Sequence, residues 1–325
     1  MVGKEQSMSK KALIIDIQRL STEDGPGIRT TVFFKGCNLR CAWYHNPESL
    51  SFKKQIEWYA DRCMGCRLCA AACTRQGLNL DENGMQINRE RCIACGTCVR
   101  ECPAGAMAVK GEDWNVDSLV YEVLKDRAYF AAEGGITASG GEALMQADFV
   151  AAFFEKLKAQ GVHTTLDTAA LVDWSIFEKV LPHTDLVLLD LKLFDAEQHK
   201  RFTGVDNARI LENATRLAQY IARHGSPALW VRTPIIPGAT NSHENIAAIG
   251  RFIRGHLGGV EQRWELCAFN NLCRDKYTRL DMEWDFAETS LMSKSQMEAL
   301  HKVACGSRGD LSRVFWTGST LVENT

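Results

Sequence analysis

Two runs of cysteine with the same internal spacing dictate what the middle of this chain can be. The first is Cys63-Met-Gly-Cys66-Arg-Leu-Cys69-Ala-Ala-Ala-Cys73, and the second is Cys92-Ile-Ala-Cys95-Gly-Thr-Cys98-Val-Arg-Glu-Cys102-Pro103. Both read C-x2-C-x2-C-x3-C, the bacterial ferredoxin spacing. A cubane cluster needs four thiolates on its iron corners. Each tight run presents three, and the fourth arrives from the other run. Cys63, Cys66, Cys69 and Cys102 are therefore expected around one 4Fe–4S cluster, and Cys92, Cys95, Cys98 and Cys73 around a second. The competing assignment is a pair of zinc knuckles, which use separated C-x2-C pairs and have no need of a fourth cysteine in each run. Of 13 cysteines, ten lie between Cys37 and Cys102, and in a reducing compartment such a concentration signals metal ligands rather than disulfides. The repeat spans roughly residues 53–110, an insert too short for much core, so its stability should depend on its clusters.

The rest of the 325 residues suffices for one large domain. At 46% apolar and 24% charged residues the composition is that of an ordinary globular chain with a sizeable core. A net charge of −2 points to neither nucleic acid nor a membrane surface. The first residues, MVGKEQSMSKKALIIDI, contain no apolar run of signal-peptide length, and no stretch approaches the roughly 20 apolar residues of a membrane span, so a cytoplasmic protein is expected.

Outside the insert, strand-like and helix-like segments alternate. Strands are expected at 31–35, 135–139, 162–167, 185–192, 228–236 and 263–269. Helices are expected at 117–125, 147–160, 174–181, 210–224, 243–254 and 293–304. Six β/α units at this spacing predict an α/β fold, an open or partial barrel of parallel strands. Such barrels carry their sites at the C-terminal strand ends, and the polar motifs here follow the strands. The expected organisation is 1–52 as the start of the barrel with a cluster loop, 53–112 as the ferredoxin-like insert, and 113–325 as the remainder of the barrel and a C-terminal segment.

The stretch Asp24-Gly-Pro-Gly-Ile-Arg-Thr-Thr-Val-Phe-Phe-Lys-Gly-Cys37-Asn-Leu-Arg-Cys41-Ala-Trp43-Tyr44-His45-Asn-Pro-Glu-Ser resembles the opening of the glycyl-radical-enzyme activating enzymes, a branch of the radical S-adenosylmethionine class. The likeness continues through Ser139-Gly140-Gly141-Glu142, Asp167-Thr168, Asp190-Leu191-Lys192, Arg232, Pro237-Gly238 and the stretch 265–277, and covers almost the whole chain. It implies a partial (β/α)6 radical S-adenosylmethionine barrel. It also implies that an external low-potential donor such as flavodoxin or ferredoxin reduces a barrel cluster, and that S-adenosylmethionine is then cleaved reductively to a 5′-deoxyadenosyl radical, which takes a hydrogen atom from a glycine of a partner glycyl radical enzyme.

By resemblance, Cys37 and Cys41 ligate that barrel cluster and Asp24 lies near the bound glycyl peptide. Ser139, Gly140, Gly141 and Glu142 face the methionine amino group. Asp190, Leu191 and Lys192 contact the cofactor, with Lys192 grouped with Asp24 among the catalytic residues. Asp167 and Thr168 join Asp190 at a monovalent cation near the methionine carboxylate. Trp43, Tyr44 and His45 shape the adenine side, and Asn270 stands where relatives place a histidine facing cofactor or peptide. Read without the resemblance, the same residues have plainer uses: Gly-Gly as a turn, Asp190 and Lys192 as a structural ion pair, Asp167-Thr168 as a helix N-cap. Cys267, Cys273 and Cys305 lack ligand spacing and are expected to be buried thiols.

One residue departs from the pattern. Tyr44 occupies the position of the third cysteine in the family's C-x3-C-x2-C. A phenol is a poor replacement for thiolate on an iron–sulfur cluster, so cluster binding and activity are expected to be impaired. The competing function is a non-catalytic iron–sulfur electron carrier or partner-binding protein. Tyr44 favours that reading, and the cofactor-loop motifs oppose it.

Overall fold

The structure is a computed structural model and describes residues 11–321. Residues 1–10 and 322–325 lie outside it, and much of the reading against a signal peptide falls there. Thirteen strands are described. In chain order they are β1 (Lys11–Ser21), β2 (Arg29–Phe34), β3 (Gln55–Trp58), β4 (Leu78–Asp81), β5 (Gly84–Ile87), β6 (Met107–Lys110), β7 (Glu112–Asn115), β8 (Gly135–Gly140), β9 (His163–Thr168), β10 (Leu186–Asp190), β11 (Ala228–Ile235), β12 (Glu261–Ala268) and β13 (Val314–Thr317).

Nine of them form one sheet in the order β13-β12-β11-β10-β9-β8-β2-β1-β7. From β2 through β13 every neighbouring pair is parallel, while β1 joins β2 and β7 antiparallel. The parallel strands are joined by helical crossovers that must cover the sheet, and their sequences follow from that. In β10 the run Leu186-Val-Leu-Leu189 is buried throughout. Helices Ala147–Lys158, Ala208–His224, His243–His256 and Lys294–Arg308 place Phe153, Leu217, Ile249 and Leu300 in the same core as Leu166, Leu189, Val231 and Leu266. This is the partial barrel expected, with a seventh parallel strand, β13, added at its edge.

The insert leaves the sheet after β2 and returns at β7. β3 pairs antiparallel with β6, setting Gln55 opposite Lys110, and β4–β5 form a separate hairpin. Its repeat is visible in the backbone. Gly65 and Ala94, Arg67 and Gly96, and Gln76 and Gly105 sit at matching places in the two halves, all with positive φ. Ile56, Met85, Ile87 and Met107 pack around Cys69 and Cys98 as a small core of their own. Among the described residues, no helix is long and apolar enough to cross a membrane.

Candidate active site

The insert brings its thiols together across the two runs. Cys63, Cys66, Cys69 and Cys102 line one void with Trp58, Leu80 and Met107. Burial raises the pKa of Cys69, and Cys102 and Cys63 add to the shift. Burial pushes the Cys98 thiol up to about 11, with Cys92, Cys69 and Cys95 contributing. The two fourth ligands are held alike: the Ala106 amide donates to Cys102 Sγ at 3.2 Å and the Gly77 amide to Cys73 Sγ at 3.4 Å, each from four residues on. Among the described residues no three cysteine, histidine or carboxylate groups close on a point suited to a single metal ion. The Cys63, Cys66, Cys69 and Cys102 thiols around a void suit a cubane, which separates its ligands, better than zinc, which draws them onto one centre.

At the barrel, a loop follows β2. Gly36 begins it with φ +103° and donates to Ser49 O at 2.7 Å. This loop is knitted to the turn after β8: the Gly141 amide donates to Phe34 O at 2.8 Å and the Glu142 amide to Gly36 O at 2.9 Å. A Cβ on Gly141 would lie 2.2 Å from Gly36 O, and one on Gly140 (φ +103°) 2.5 Å from Phe34 N. These glycines first of all let two backbones touch. Cys37 and Cys41 stand buried on the loop. Burial, then Glu142, pushes Cys37 up to about 12, and burial raises Cys41. Burial thus favours the neutral thiol at both positions.

Tyr44 turns its ring toward the same place. Its hydroxyl donates to Gly140 O at 2.5 Å and accepts from Ser49 Oγ at 3.1 Å. Burial, then the neighbouring Cys37 and Cys41 thiols, holds the phenol well above its ordinary pKa. Burial and the hydrogen bond to Gly140 O both oppose the phenolate that iron ligation would need. Cys63, Cys66, Cys69 and Cys102 converge as a cubane requires, whereas the loop after β2 offers two thiols, Cys37 and Cys41.

A polar cavity opens beside this loop at the C-terminal strand ends. Its wall includes Asp24, Trp43, Tyr44, His45, Ser139, Gly140, Asp167, Asp190 and Lys192. The sequence reading left Phe33, Pro234, Ile236, Cys267, Ala268 and Phe269 out of the site, and named Arg232 without a role; all of them line it. A larger hollow bordered by Lys11, Phe149 and Lys179, about 480 Å³ against about 290 Å³, contains none of the groups at the strand ends.

The charges in the cavity are paired. Lys192, just beyond β10, binds Asp190. Burial opposes the Lys192 charge, but the Asp190 carboxylate outweighs it and keeps the ammonium protonated. Arg232 lies 4.0 Å from Asp167 and 3.6 Å from Glu265. Ser139 Oγ donates to Asp167 at 2.6 Å, yet burial and the nearby Asp190 raise Asp167 to about 6. His45 Nε2 is buried without a partner, and burial lowers the ring's pKa.

Asp24 accepts from Ser21 Oγ at 2.6 Å and Thr31 Oγ1 at 2.7 Å. Buried Arg29 fixes the Asp24-Gly-Pro-Gly turn by donating to Thr137 Oγ1 at 2.7 Å, Ile136 O at 2.9 Å and Pro26 O at 3.1 Å.

Some candidates stand behind the cavity wall. Glu142 accepts from Thr168 Oγ1 at 2.8 Å, the Ala169 amide at 3.0 Å and the Leu144 amide at 3.1 Å, and burial raises it to about 7. Glu142 and Thr168 thus tie the β8 turn to the end of β9. Leu191 is buried in the main core. Asn270 accepts from the Leu272 amide at 3.2 Å, closing a turn. Cys273 and Cys305 are buried, whereas Cys267 is only half-buried, in the cavity wall.

Comparison with known proteins adds four findings. The family described as 4Fe-4S dicluster domain matches residues 62–106. The chain is 34% identical over 304 residues to the (2S)-3-sulfopropanediol dehydratase activating enzyme of Klebsiella oxytoca, covering 92% of this chain and 94% of that one. It is 36% identical over 319 residues to the indoleacetate decarboxylase activating enzyme of Tractidigestivibacter scatoligenes, covering 93% and 99%. Among solved structures, a domain of pyruvate-formate lyase-activating enzyme from Bacteroides vulgatus ATCC 8482 is similar with TM-score 0.46 and 23% identity, over 57% of this chain and 99% of that one.

Proposed function

The chain belongs to the glycyl-radical-enzyme activating enzymes of the radical S-adenosylmethionine class, and on that footing we propose how its own residues divide the work. A reduced barrel cluster with S-adenosylmethionine supplies the chemistry of the class, removal of a hydrogen atom from a glycine of a partner enzyme.

In our reading, Ser139, Gly140 and the Asp190–Lys192 pair receive the amino-acid end of S-adenosylmethionine. The observation that carries it is the convergence of these groups with Asp167 and Arg232 at the strand ends, beside Cys37 and Cys41. A zwitterion needs fixed charges of both signs, and Lys192 and Arg232 facing Asp167 and Asp190 provide them. Asp167 and Asp190 are also the natural seat of a monovalent cation. Glu142 and Thr168 act as supports, and the Asp24 turn, pinned by Arg29, meets the glycyl segment. We assign residues 53–112 to a separate two-cluster unit loaded by a low-potential carrier such as flavodoxin or ferredoxin, and the protein to the cytoplasm.

Tyr44 qualifies the activity. With its phenol protonated and bound to Gly140 O, the barrel cluster lacks its third thiolate, and the chain as written activates its partner weakly or not at all. The same observation favours the second reading, an iron–sulfur protein that carries electrons or binds a partner without cleaving the cofactor. Iron content and 5′-deoxyadenosine release under dithionite separate the two. Release by the Tyr44→Cys variant alone supports an activating enzyme with a disabled cluster. Release by neither supports the carrier.

A further inference from the structure

One short stretch after β12 touches both the insert and the loop that bears Cys37 and Cys41. On the insert side stands Arg89, three residues before Cys92. Its guanidinium is half-buried and donates to two main-chain carbonyls, Ile56 O on β3 at 2.6 Å and Leu280 O at 2.7 Å. Burial pulls its pKa down, and Cys92, Asp281 and Glu57 only partly offset this. A guanidinium given to backbone acceptors rather than to a carboxylate holds two segments at a set distance. Next to Leu280, Arg279 lies over the Tyr59 ring, 4.6 Å from its centroid.

The other end of the stretch grips the cluster loop. Helix Arg274–Arg279 carries Tyr277, whose hydroxyl donates to Tyr44 O at 2.7 Å. Lys276 reaches Asn46 Oδ1 at 2.5 Å and Glu48 Oε1 at 2.9 Å. Trp284 stacks on Tyr277 with ring centroids 5.0 Å apart, and its Nε1 donates to Ala42 O at 3.0 Å. Two of these contacts end on main-chain oxygens of the loop, so they do not depend on which side chain occupies position 44.

We propose that the stretch 274–284 is a strap that couples the seat of the insert to the shape of the cluster loop, with Arg89 and Tyr277 as positioning residues at its two ends. The proposal rests on the reading of Cys37–Tyr44 as the barrel cluster loop. A loop that must present ligands to one cluster while a separate module delivers electrons gains from a common fastening. Without it, each would move independently of the other.

The test is hydrogen exchange by mass spectrometry on the full chain, reconstituted with iron and sulfide. It compares the parent with Arg89→Met, Arg89→Lys, Tyr277→Phe and the double variant Arg89→Met/Tyr277→Phe. Arg89→Met should raise exchange about tenfold in 41–48 and in 274–284 while insert iron stays at about eight per chain. Arg89→Lys should recover part of the protection. Tyr277→Phe should loosen 41–48 and leave 89–98 unchanged. In the double variant, exchange of 41–48 should not exceed that of the larger single change, since both act through one strap. The proposal is overturned if the Arg89→Met effect stays within the insert and 279–281, if the two singles add at 41–48, or if Arg89→Met loses insert iron. Failure of the functional reading appears elsewhere, in the iron count and 5′-deoxyadenosine yield of the Tyr44→Cys variant, which this exchange pattern does not use.

Discussion

Tyr44→Cys should reverse the order of stability between metal-free and reconstituted protein. Without metal, the substitution deletes a ring wedged between the Gly140 turn and Ser49, together with hydrogen bonds at 2.5 and 3.1 Å. Truncating a buried aromatic to alanine costs about 3–5 kcal/mol. Cysteine keeps a sulfur and the site is only partly buried, so about 2 kcal/mol is the packing share, and the two hydrogen bonds add about 1 kcal/mol each. The metal-free variant should therefore be less stable by about 4 kcal/mol. With iron and sulfide the sign changes, because three thiolates can now close a third cubane, and binding to the folded state alone adds to folding free energy. Iron should rise from about eight to about twelve per chain. The assay is anaerobic denaturant unfolding of both proteins in both states, with iron content and 5′-deoxyadenosine yield on the same samples. If the metal-free variant is as stable as the parent, the phenol's contacts are worth nothing. If the parent already binds about twelve irons and cleaves the cofactor as fast as the variant, another group completes the cluster and the ligand assignment is wrong.

Further outcomes follow from the same geometry. Cys63→Ser in the full chain should remove about four irons, and loss of all insert iron or uptake of zinc would contradict two separable cubanes. Gly140→Ala should cost stability before any cofactor is added, because its Cβ would lie 2.5 Å from Phe34 N at φ +103°; thermal unfolding of the metal-free protein checks this, and an unchanged midpoint would refute it. Glu142 carries a folded pKa of about 7, above its ordinary value of 4.5, so the folded state holds the extra proton in that window. Its contribution therefore falls as pH rises from about 4.5 through about 7, and Glu142→Gln should flatten that fall in a melting-temperature profile. Arg29→Met should loosen the Asp24 turn and weaken binding of a glycyl-loop peptide without changing insert iron, which titration of peptide and an iron assay would show.

Periodicity located the alternating strands and helices because buried parallel strands such as Leu186–Asp190 are continuous apolar runs. β1 escaped because only Ala12, Ile14 and Ser21 of Lys11–Ser21 are buried, with Leu20 exposed at φ 58°. β7 and β13 are four residues each, below the length at which a pattern registers. Helix Ala196–Thr203 did carry a signal that went unread: Asp195 caps it by accepting from the Gln198 amide, and Gly204 closes it at φ +86°. At the site, residues near strand ends were legible as motifs, but their orientation was not. Glu142 reads like a ligand beside Gly140 and Gly141, yet its carboxylate is consumed by Thr168 and two amides from across the turn. Arg29 pins the Asp24 turn through atoms more than a hundred residues away, a relation no local pattern encodes.

The antiparallel register of β3 and β6 has a consequence for how such chains diversify. Gln55 faces Lys110, so the peptide leaves the barrel and rejoins it at neighbouring points. A module with adjoining ends can be acquired, exchanged or shed as a cassette, since the host sheet need not be rethreaded and a tight turn can bridge the gap. What holds back a clean excision is the debt left on the host: Leu280 O would lose Arg89, and Arg279 would lose the Tyr59 face. Excising the cassette therefore leaves the segment around position 280 with a carbonyl and a guanidinium to be satisfied anew, by water or by substitution.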